Sequence, residues 1–240
     1  MARCGDRKLR LLAWNIRQGG GVRVAAIAEA MAQHDADILV VSEYRGGAAA
    51  VRLRAALAAL GYRYASGLTP PPGRNGVLIA ARCRFRECGA IDPRVPEPYR
   101  MVGIELGRLR LCGVYMPNLK QKVPYWEALI AALALDLKRP ALAIGDFNTC
   151  RAYIDEPGAI DATAHFMDKI EAIGFCDLWR RHYPEGRDFS WYSHRANGFR
   201  IDHAFLSPML AAAADAVRYS HGERLAGLSD HSPLIVDLRV

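Results

Sequence analysis

The sequence Leu142-Ala143-Ile144-Gly145-Asp146-Phe147-Asn148 carries the clearest structural pattern in this chain of 240 residues. Its first residues form an apolar run typical of a buried strand, and the run ends at a glycine. Asp146 and Asn148 follow two residues apart, so their side chains leave the backbone on the same side if the strand period continues. A carboxylate beside an amide suits chemistry on a phosphate, because one can hold a water or a metal while the other binds a phosphoryl oxygen. Taken alone, the pattern is equally typical of a turn or a helix cap.

The composition is that of a globular protein with a basic charge. Hydrophobic residues make up 51% of the chain and charged residues 24%, with a net charge of +7 and a pI near 9.2. This length is enough for one large core, and we predict a single α/β domain over residues 1–240. The basic charge favours a polyanionic partner, although arginines can also be spread over a solvated surface.

The cysteines and the N-terminal sequence bear on the compartment. No C-x-x-C pair or zinc-finger spacing occurs, so we interpret the cysteines as reduced thiols of a cytoplasmic protein. They are Cys4, Cys83, Cys88, Cys112, Cys150 and Cys176. The apolar stretch 11–16 is too short for a signal peptide, and no segment reaches membrane-spanning length. We therefore predict a soluble protein without a membrane span.

Apolar runs alternate with helical patterns along the chain. Strands are expected over residues 9–14, 37–41, 77–81, 101–106, 109–114, 142–146, 199–206 and 234–238. Helices are expected over about 24–34, 48–60, 124–138 and 162–173. We expect a turn at Asn75-Gly76, a hairpin through Gly107-Arg108, and an interruption of the 199–206 strand at Asp202-His203. Because of the hairpin signals, the sheet is not expected to be all parallel.

Polar side chains recur at the end of an apolar strand, inside one, or in a loop leading into one. They are Asn15, Glu43, Tyr115, Asp146 with Asn148, Asp202, and Asp230 with His231. A carboxylate in such a position is costly to bury unless it is paired or binds a metal. Oxygen ligands without cysteine favour Mg²⁺ or Mn²⁺ over zinc. His231 adds a group that titrates near neutral pH, and Asp202 adds one that can orient it.

Each of these positions also has a structural interpretation when it is taken alone. Glu43 could be a solvated strand end, and His231 could cap a loop. Asp202 could pair with Arg200, and Trp191 could be an ordinary core aromatic. Their joint order along the chain favours the interpretation that they form a single site. That order is Asn, Glu, Tyr, Asp-x-Asn, Asp, Asp-His.

That order resembles the endonuclease/exonuclease/phosphatase superfamily, the family of DNase I, exonuclease III-type abasic-site endonucleases, sphingomyelinases and inositol polyphosphate 5-phosphatases. The resemblance runs from Trp14-Asn15 to Ser229-Asp230-His231-Ser232-Pro233 and includes Gly145-Asp146-Phe147-Asn148. It implies a four-layer α/β/β/α sandwich, in which two mixed β-sheets are flanked by helices and the pocket lies at one edge. Tyr115 stands in a Tyr-x-Pro motif, which is similar to that of the exonuclease III-like branch.

The resemblance also implies where a metal and the attacking water would lie. Glu43 would be the principal metal ligand, with Asn15 and Asp230 as the further candidates. Asp146 would orient or deprotonate the water. The metal implied is Mg²⁺, with Mn²⁺ as a substitute.

The remaining roles concern the phosphate. Asn148 would hold it, and His231, steered by Asp202, would contact the scissile phosphate and stabilise its developing charge. The Tyr115 hydroxyl would donate to the phosphate or help the leaving group. The identity of the general base stays open.

Three features favour nucleic acid as the substrate. Asn118, in Tyr115-Met116-Pro117-Asn118, lies where abasic-site endonucleases often have an amide. The segment with Trp191 and Arg200 resembles the aromatic and arginine-bearing part that those enzymes use beside a lesion. The basic charge suits a phosphate backbone. We therefore expect Asn118, Trp191 and Arg200 to bind substrate, while departures in segments 119–123 and 149–156 leave lesion specificity open.

These expectations combine into a Mg²⁺-dependent phosphodiesterase of the exonuclease III-like branch. It would hydrolyse DNA by in-line attack of water, as an abasic-site endonuclease or a 3′-exonuclease, which would place it in DNA repair. One alternative is the same chemistry on a lipid or inositol phosphate head group. The other is a non-catalytic scaffold that keeps the fold and binds a partner.

Overall fold

A computed structural model describes residues 8–158 and 161–239. In those ranges the strands are β1 (Lys8–Asn15), β2 (Ile38–Arg45), β3 (Tyr64–Ala65), β4 (Asn75–Ala81), β5 (Arg86–Ala90), β6 (Met101–Leu106), β7 (Leu109–Tyr115), β8 (Ala141–Asp146), β9 (Cys176–Asp177), β10 (Trp191–Tyr192), β11 (Gly198–Phe199), β12 (Asp202–Leu206), β13 (Ala214–Tyr219) and β14 (Leu234–Arg239). The α-helices are α1 (Val24–Gln33), α2 (Ala48–Ala59), α3 (Val123–Ala134), α4 (His165–Ala172), α5 (Leu178–His182), α6 (Pro208–Ala212) and α7 (Gly222–Leu225). Short 3-10 turns cover Gln18–Arg23, Pro98–Arg100 and Leu119–Lys122.

The strands form two six-stranded sheets and one small ribbon. The first sheet has the order β13-β14-β1-β2-β4-β3, the second has the order β5-β6-β7-β8-β12-β9, and β10 pairs with β11. In the first sheet β1 is parallel to β2 and antiparallel to β14. In the second, β8 is parallel to β7 and antiparallel to β12. Both sheets are therefore mixed, as predicted.

The two sheets pack face to face, and helices cover their outer faces. Leu11 and Val40 of the first sheet share a buried cluster with Leu111 and Ile144 of the second. Side chains of α1 and α2 pack on the outer face of the first sheet. Side chains of α3 and α4 pack on the outer face of the second. This arrangement is the four-layer α/β/β/α sandwich, and the prediction of fold class is confirmed.

Strand β1 shows why polar groups collect at the strand ends. Leu11 and Ala13 face the second sheet, while Leu12 and Trp14 face the helices. Successive side chains of a strand point to opposite faces, so a strand between two packed layers must be apolar at nearly every position. The first polar side chain of the buried part of β1 is then that of Asn15, at its last residue.

Gly145 explains why a glycine precedes the carboxylate of the Gly-Asp-Phe-Asn motif. Its φ is +142°, and a Cβ at this position would overlap the carbonyl oxygen of Val114 in the neighbouring strand β7. A side chain is excluded by that close approach, and the backbone conformation is one that L residues rarely adopt. The glycine therefore lets β7 and β8 stay paired up to Asp146.

Several predicted boundaries differ from the structure. The expected strand 199–206 is two strands, because β11 belongs to the ribbon and β12 to the second sheet. Asn75 and Gly76 lie inside β4 rather than in a turn. Helix α3 ends at Ala134, before the predicted residue 138. The short elements β3, β5, β9, β13 and α5 to α7 were not predicted, since short segments carry too little periodicity.

Two further expectations concerned membrane-spanning helices and disulfide bonds. No helix in residues 8–158 and 161–239 has the length and apolar character needed to cross a membrane. The cysteines in these ranges form no disulfide with one another. Cys4 lies outside the described residues.

Arg200 corrects one site prediction. Its side chain has no exposed surface, and its guanidinium donates to Asp155 Oδ1 at 2.9 Å and to Asp177 Oδ2 at 2.6 Å. Burial raises the pKa of Asp177, but the charge of Arg200 and the hydrogen bonds from Arg200 and His203 together outweigh burial and lower it. The prediction that Arg200 binds substrate is wrong, because a buried guanidinium held by two carboxylates has no face free for a phosphate.

We predict that Arg200→Met lowers the free energy of unfolding by about 3 kcal/mol, because Asp155 and Asp177 would lose the fully buried cation that they share while Arg180 stays 3.0 Å from Asp155. Urea unfolding at pH 7 measures this, with the exposed Arg52→Met as the control. The folded-state pKa values of both carboxylates lie below the ordinary aspartate value of about 3.9. The two ionised carboxylates therefore stabilise the fold above a pH of about 3.9, which is their unfolded pKa, and this stabilisation is lost as pH falls below it. The difference in unfolding free energy between Arg200→Met and wild type should shrink at acidic pH. Equal unfolding midpoints for the two variants at pH 7 would contradict the prediction.

Candidate active site

A pocket of about 1050 Å³ opens at the edge of the sandwich where β2, β7 and β8 end. The predicted site residues that line it are Glu43, Tyr115, Asn118, Asn148, Asp146, Trp191, Asp230 and His231. In the parallel pair β7 and β8, Tyr115 is opposite Asp146, and in the parallel pair β1 and β2, Asn15 is opposite Ser42. The structure thus brings together residues from both sheets, since carboxyl ends of parallel neighbours meet at one edge.

Asn15 connects the two sheets at this edge. Its Nδ2 donates to Asp146 Oδ2 at 2.8 Å and to Glu43 Oε1 at 3.1 Å. Its Oδ1 accepts from the Arg17 N–H at 2.9 Å. The amide therefore fixes the separation of two carboxylates that belong to different sheets. Metal ligation by the Asn15 oxygen would require this amide to turn over.

Glu43 lies in a bulge of β2. Its φ is +54°, and the register of β2 against β4 shifts between Ser42 and Tyr44. Its Oε2 accepts from the Gln18 N–H at 2.6 Å and from Asn75 Nδ2 at 3.1 Å. A bulge inserts one residue and re-aims a side chain, and here it directs the carboxylate into the pocket.

Asp146 and Asn148 are adjacent because of a turn and not because of the strand period. Strand β8 ends at Asp146, and Asn148 has a φ of +48°. The Asn148 N–H donates to Asp146 Oδ1 at 2.8 Å, while Asn148 Nδ2 donates to the Met116 carbonyl at 2.8 Å. The strand period does not continue past Asp146, and the turn places the two side chains close together.

His231 and Asp202 form a buried pair. His231 Nδ1 lies 2.8 Å from Asp202 Oδ2, and the His231 carbonyl accepts from Trp14 Nε1 at 2.9 Å. Burial lowers the pKa of His231, but the charge of Asp202 and its hydrogen bond outweigh burial and raise that pKa to about 9. The ring is therefore an imidazolium at neutral pH, and Nε2 is the nitrogen left for the pocket.

The negative charges of the carboxylates at this site are not fully balanced by positive charges, as the pKa of Asp146 indicates. Burial, followed by the charge of Asp202, raises the pKa of Asp146 well above the ordinary aspartate value. One ligand atom each from Asp146, Asp202 and His231 lies within 4.8 Å of the others, a spacing that could hold a metal ion. A divalent cation would relieve this imbalance, and the oxygen donors of Asp146 and Glu43 suit a hard cation.

Tyr115 lies half-buried at the end of β7. Burial, followed by the charges of Glu43 and Asp146, raises the pKa of its phenol to about 12. The Arg100 guanidinium stacks over its ring at 4.6 Å. The hydroxyl therefore stays protonated at neutral pH and can donate a hydrogen bond into the pocket.

Trp191 and Asn118 are the two predicted substrate contacts that line the pocket. Trp191 Nε1 donates to Asp230 Oδ2 at 3.2 Å, and its ring lies 6.4 Å from that of His231. The half-buried indole therefore holds Asp230 while it forms part of the wall. Asn118 is exposed on the pocket wall, just before the Leu119–Lys122 turn.

The sequence did not predict the residues that form hydrogen bonds with the site residues and fix their positions. Asn75 and the backbone of Gln18 fix Glu43, and Lys122 donates to the carbonyl of Asn148. Each is a single polar residue without a motif, and only the fold reveals its partner. Ser229 had a signal, since it belongs to the Ser-Asp-His-x-Pro motif, and its Oγ donates to the Asn15 carbonyl at 2.6 Å.

Comparison with known sequences gives three relevant matches. The model of the Endonuclease/Exonuclease/phosphatase family matches residues 12–231. The chain is 32% identical over 161 residues to an exodeoxyribonuclease of Bacillus subtilis (strain 168), covering 56% of this chain and 62% of that protein. It is 27% identical over 179 residues to an exodeoxyribonuclease of Streptococcus pneumoniae serotype 4, covering 64% of each. The chain thus spans less than two thirds of the length of these relatives.

Solved structures with the same fold cover nearly the whole chain. An AP endonuclease from Archaeoglobus fulgidus superposes with a TM-score of 0.84 at 23% identity, over 97% of this chain and 100% of that one. The 3′-5′ exonuclease NExo from Neisseria meningitidis gives a TM-score of 0.84 at 24% identity, over 96% and 99% of the two chains. A 3′ phosphatase NExo from Neisseria, bound to product DNA hairpin, gives 0.83 at 24% identity, with the same coverage. Because the family model extends from strand β1 to His231, this chain belongs to the Endonuclease/Exonuclease/phosphatase family.

Proposed function

We propose that this protein is a divalent-metal-dependent phosphodiesterase that hydrolyses DNA, as a 3′-exonuclease or an abasic-site endonuclease. The observation that carries the proposal is the Asp202–His231 pair, joined at 2.8 Å and placed within 4.8 Å of the Asp146 carboxylate. The names of the sequence relatives, which are exodeoxyribonucleases, and the DNA hairpin bound to NExo support DNA as the substrate.

The chain offers three hydrogen-bond donors to a phosphate. The His231 imidazolium would neutralise the charge that develops on the phosphoryl oxygens, and Asp202 keeps it protonated. Asn148 lies beside Asp146 on the same wall and would bind another phosphoryl oxygen. The Tyr115 hydroxyl, protonated at neutral pH, would donate to the phosphate or to the leaving oxygen.

Asp146 is the group placed to orient the attacking water. Its Oδ1 and Oδ2 accept from Asn148 N–H and Asn15 Nδ2, which fixes the carboxylate against rotation. Burial raises its pKa, so its affinity for a proton is higher than that of a solvated aspartate. Both properties suit a base or an orienting group in in-line displacement at phosphorus.

Two sets of residues could hold the metal, and we favour the all-oxygen set. The first set is Asp146, Asp202 and His231. It already contains a positive charge, because the His231 imidazolium pairs with Asp202 through Nδ1. Glu43, Asp146 and Asp230 line the same pocket and would hold Mg²⁺ through oxygens alone, although among the described residues it is the first set whose ligand atoms already lie within 4.8 Å of one another. When bound, the metal supplies positive charge at the phosphate and lowers the pKa of water.

The two alternative functions have less support. The two exodeoxyribonucleases and the NExo complex with a DNA hairpin point by their names to DNA rather than to a lipid or inositol phosphate. A non-catalytic scaffold would not need a buried, unbalanced carboxylate facing a pocket. Both alternatives are outcomes of the following experiment.

The decisive assay compares one enzyme preparation on a substrate panel with Mg²⁺ and with EDTA. The panel contains intact, abasic and 3′-phosphorylated duplex DNA, single-stranded DNA, RNA, and vesicles with phosphoinositides. We expect cleavage of DNA that EDTA abolishes, and losses of about 10²–10⁴ in kcat for Asp146→Asn and His231→Ala while both variants stay folded by circular dichroism. Faster turnover of a phosphoinositide than of every polynucleotide would overturn the assignment, as would near-normal rates in both variants.

Glu43→Gln should raise the Mg²⁺ concentration needed for half-maximal activity by at least about tenfold, because a neutral amide replaces the charged ligand. Metal titrations of the rate and calorimetric binding of Mn²⁺ both measure the change. Glu127→Gln removes the same charge from an exposed position on α3 and should alter neither. Identical titrations for wild type and Glu43→Gln would assign the metal to other ligands.

Asp202→Asn should move the alkaline limb of the pH profile to lower pH. The His231 pKa of about 9 lies above its ordinary value, so the imidazolium is present below that pH and is lost as pH rises through it. Removal of the Asp202 charge leaves burial, which lowers the pKa, with less opposition. We expect kcat/KM to fall at least about one pH unit earlier in the variant, measured from pH 6 to 10 and checked by NMR titration of His231. An alkaline limb that coincides with that of the wild type would exclude His231 as its source.

A further inference from the structure

Buried side chains form hydrogen bonds with the backbone of residues 147–149, on both sides of Asn148. Thr149 Oγ1 donates to the Phe147 carbonyl at 2.9 Å and accepts from Trp126 Nε1 at 3.1 Å. His203 Nε2 lies 2.8 Å from the Thr149 carbonyl. Two carbonyls of this segment, those before and after Asn148, therefore have buried partners.

The carbonyl of Asn148 itself is contacted by Lys122. The Lys122 Nζ donates to this oxygen and pairs with Asp161 Oδ2 at 3.0 Å. Only 2% of the Lys122 side chain is exposed. The other Asp161 oxygen accepts from the Thr163 N–H at 2.8 Å, so the counter-charge is fixed as well. A buried ammonium is costly unless it is paired, and here both of its partners are held in place.

The contact matters because of the backbone conformation of Asn148. Its φ of +48° lies in the left-handed region, which asparagine tolerates better than most residues but which still persists only when surrounding contacts enforce it. The same residue directs its N–H to Asp146 and its Nδ2 to the Met116 carbonyl. The carbonyl held by Lys122 belongs to the peptide that follows Asn148, so its release would free the backbone of Asn148 to leave the left-handed region. That change would move the Asn148 side-chain amide and its backbone hydrogen bond to Asp146.

We propose that Lys122 is a positioning residue for this site. Its ammonium, fixed by Asp161, holds the Asn148 carbonyl and thereby sets the orientation of the Asn148 amide relative to the Asp146 carboxylate. At least two of its three N–H donors are directed to protein oxygens, so Lys122 acts through Asn148 and not as a phosphate ligand. The assignment rests on the proposed function, since it concerns the same site.

The test compares Lys122→Met with Lys138→Met, which removes the same charge from an exposed position after α3. We expect Lys122→Met to lower kcat on duplex DNA by about 10–100-fold with KM changed by less than about threefold, because placement is lost while charge-driven binding is kept. Lys138→Met should match wild type. Lys122→Arg, which keeps a charged donor, should recover part of the rate. A raised KM with unchanged kcat would make Lys122 a direct DNA contact and overturn the proposal.

A structural readout separates this proposal from the proposed function. A crystal structure of Lys122→Met should show Asn148 outside the left-handed region or its Nδ2 parted from the Met116 carbonyl. An unmoved Asn148 would overturn the positioning role whatever the rates, whereas a wild-type enzyme inactive on every DNA would overturn the function alone. If Lys122→Met does not fold, Asp161→Asn keeps the lysine and removes its counter-charge. That variant should lower kcat several-fold, and an unchanged kcat would overturn the proposal.

Discussion

The hydrogen bond from Asn15 to Asp146 is the contact on which the site depends, because it joins the ends of two strands from different sheets. Face-to-face packing of the sheets fixes how far apart these ends can be. The buried parts of both strands, residues 11–14 and 141–145, are apolar, so the first polar groups after them appear together at one edge. The same amide reaches Glu43, and the carboxylate accepts from Asn148, so one contact sets three of the groups around the pocket.

Two fully buried aspartates show what distinguishes the site from the rest of the interior. Asp177 is paired with Arg200, and its pKa lies below the ordinary value. Within residues 8–158 and 161–239, Asp146 has no arginine or lysine partner among its hydrogen bonds, and burial together with Asp202 raises its pKa. The Asp177 carboxylate is thus neutralised by an arginine, whereas Asp146 is not, which is the pattern expected of a functional carboxylate. The deficit of positive charge, more than the presence of acidic residues, marks the pocket.

The sequence was informative where periodicity and position decide the outcome. The apolar runs predicted the strands, and the family resemblance carried by the polar positions implied the sandwich with a pocket at its edge for Asn15, Glu43, Tyr115 and Asp146. Arg200 was misassigned because its segment was treated as one surface. In an extended chain neighbouring side chains face opposite sides, and Phe199 and Ile201 line the pocket, so Arg200 must face the interior. Partners brought from distant segments, such as Asp155 and Asp177 for this arginine, are set by the fold and leave no local signal.

The site also departs from regular structure at two positions. Glu43 and Asn148 both have left-handed backbones, at a bulge and at a turn. In a regular strand each side chain points to one of the two faces of the sheet. The left-handed conformations instead direct the side chains of Glu43 and Asn148 into the pocket at the sheet edge. Each is held by donors from outside its own strand, namely Gln18 and Asn75 for Glu43 and Lys122 for Asn148. The apolar layers therefore fix where the site lies, while single polar residues at the ends of neighbouring segments fix its geometry, and substitutions there can alter the site without changing the fold.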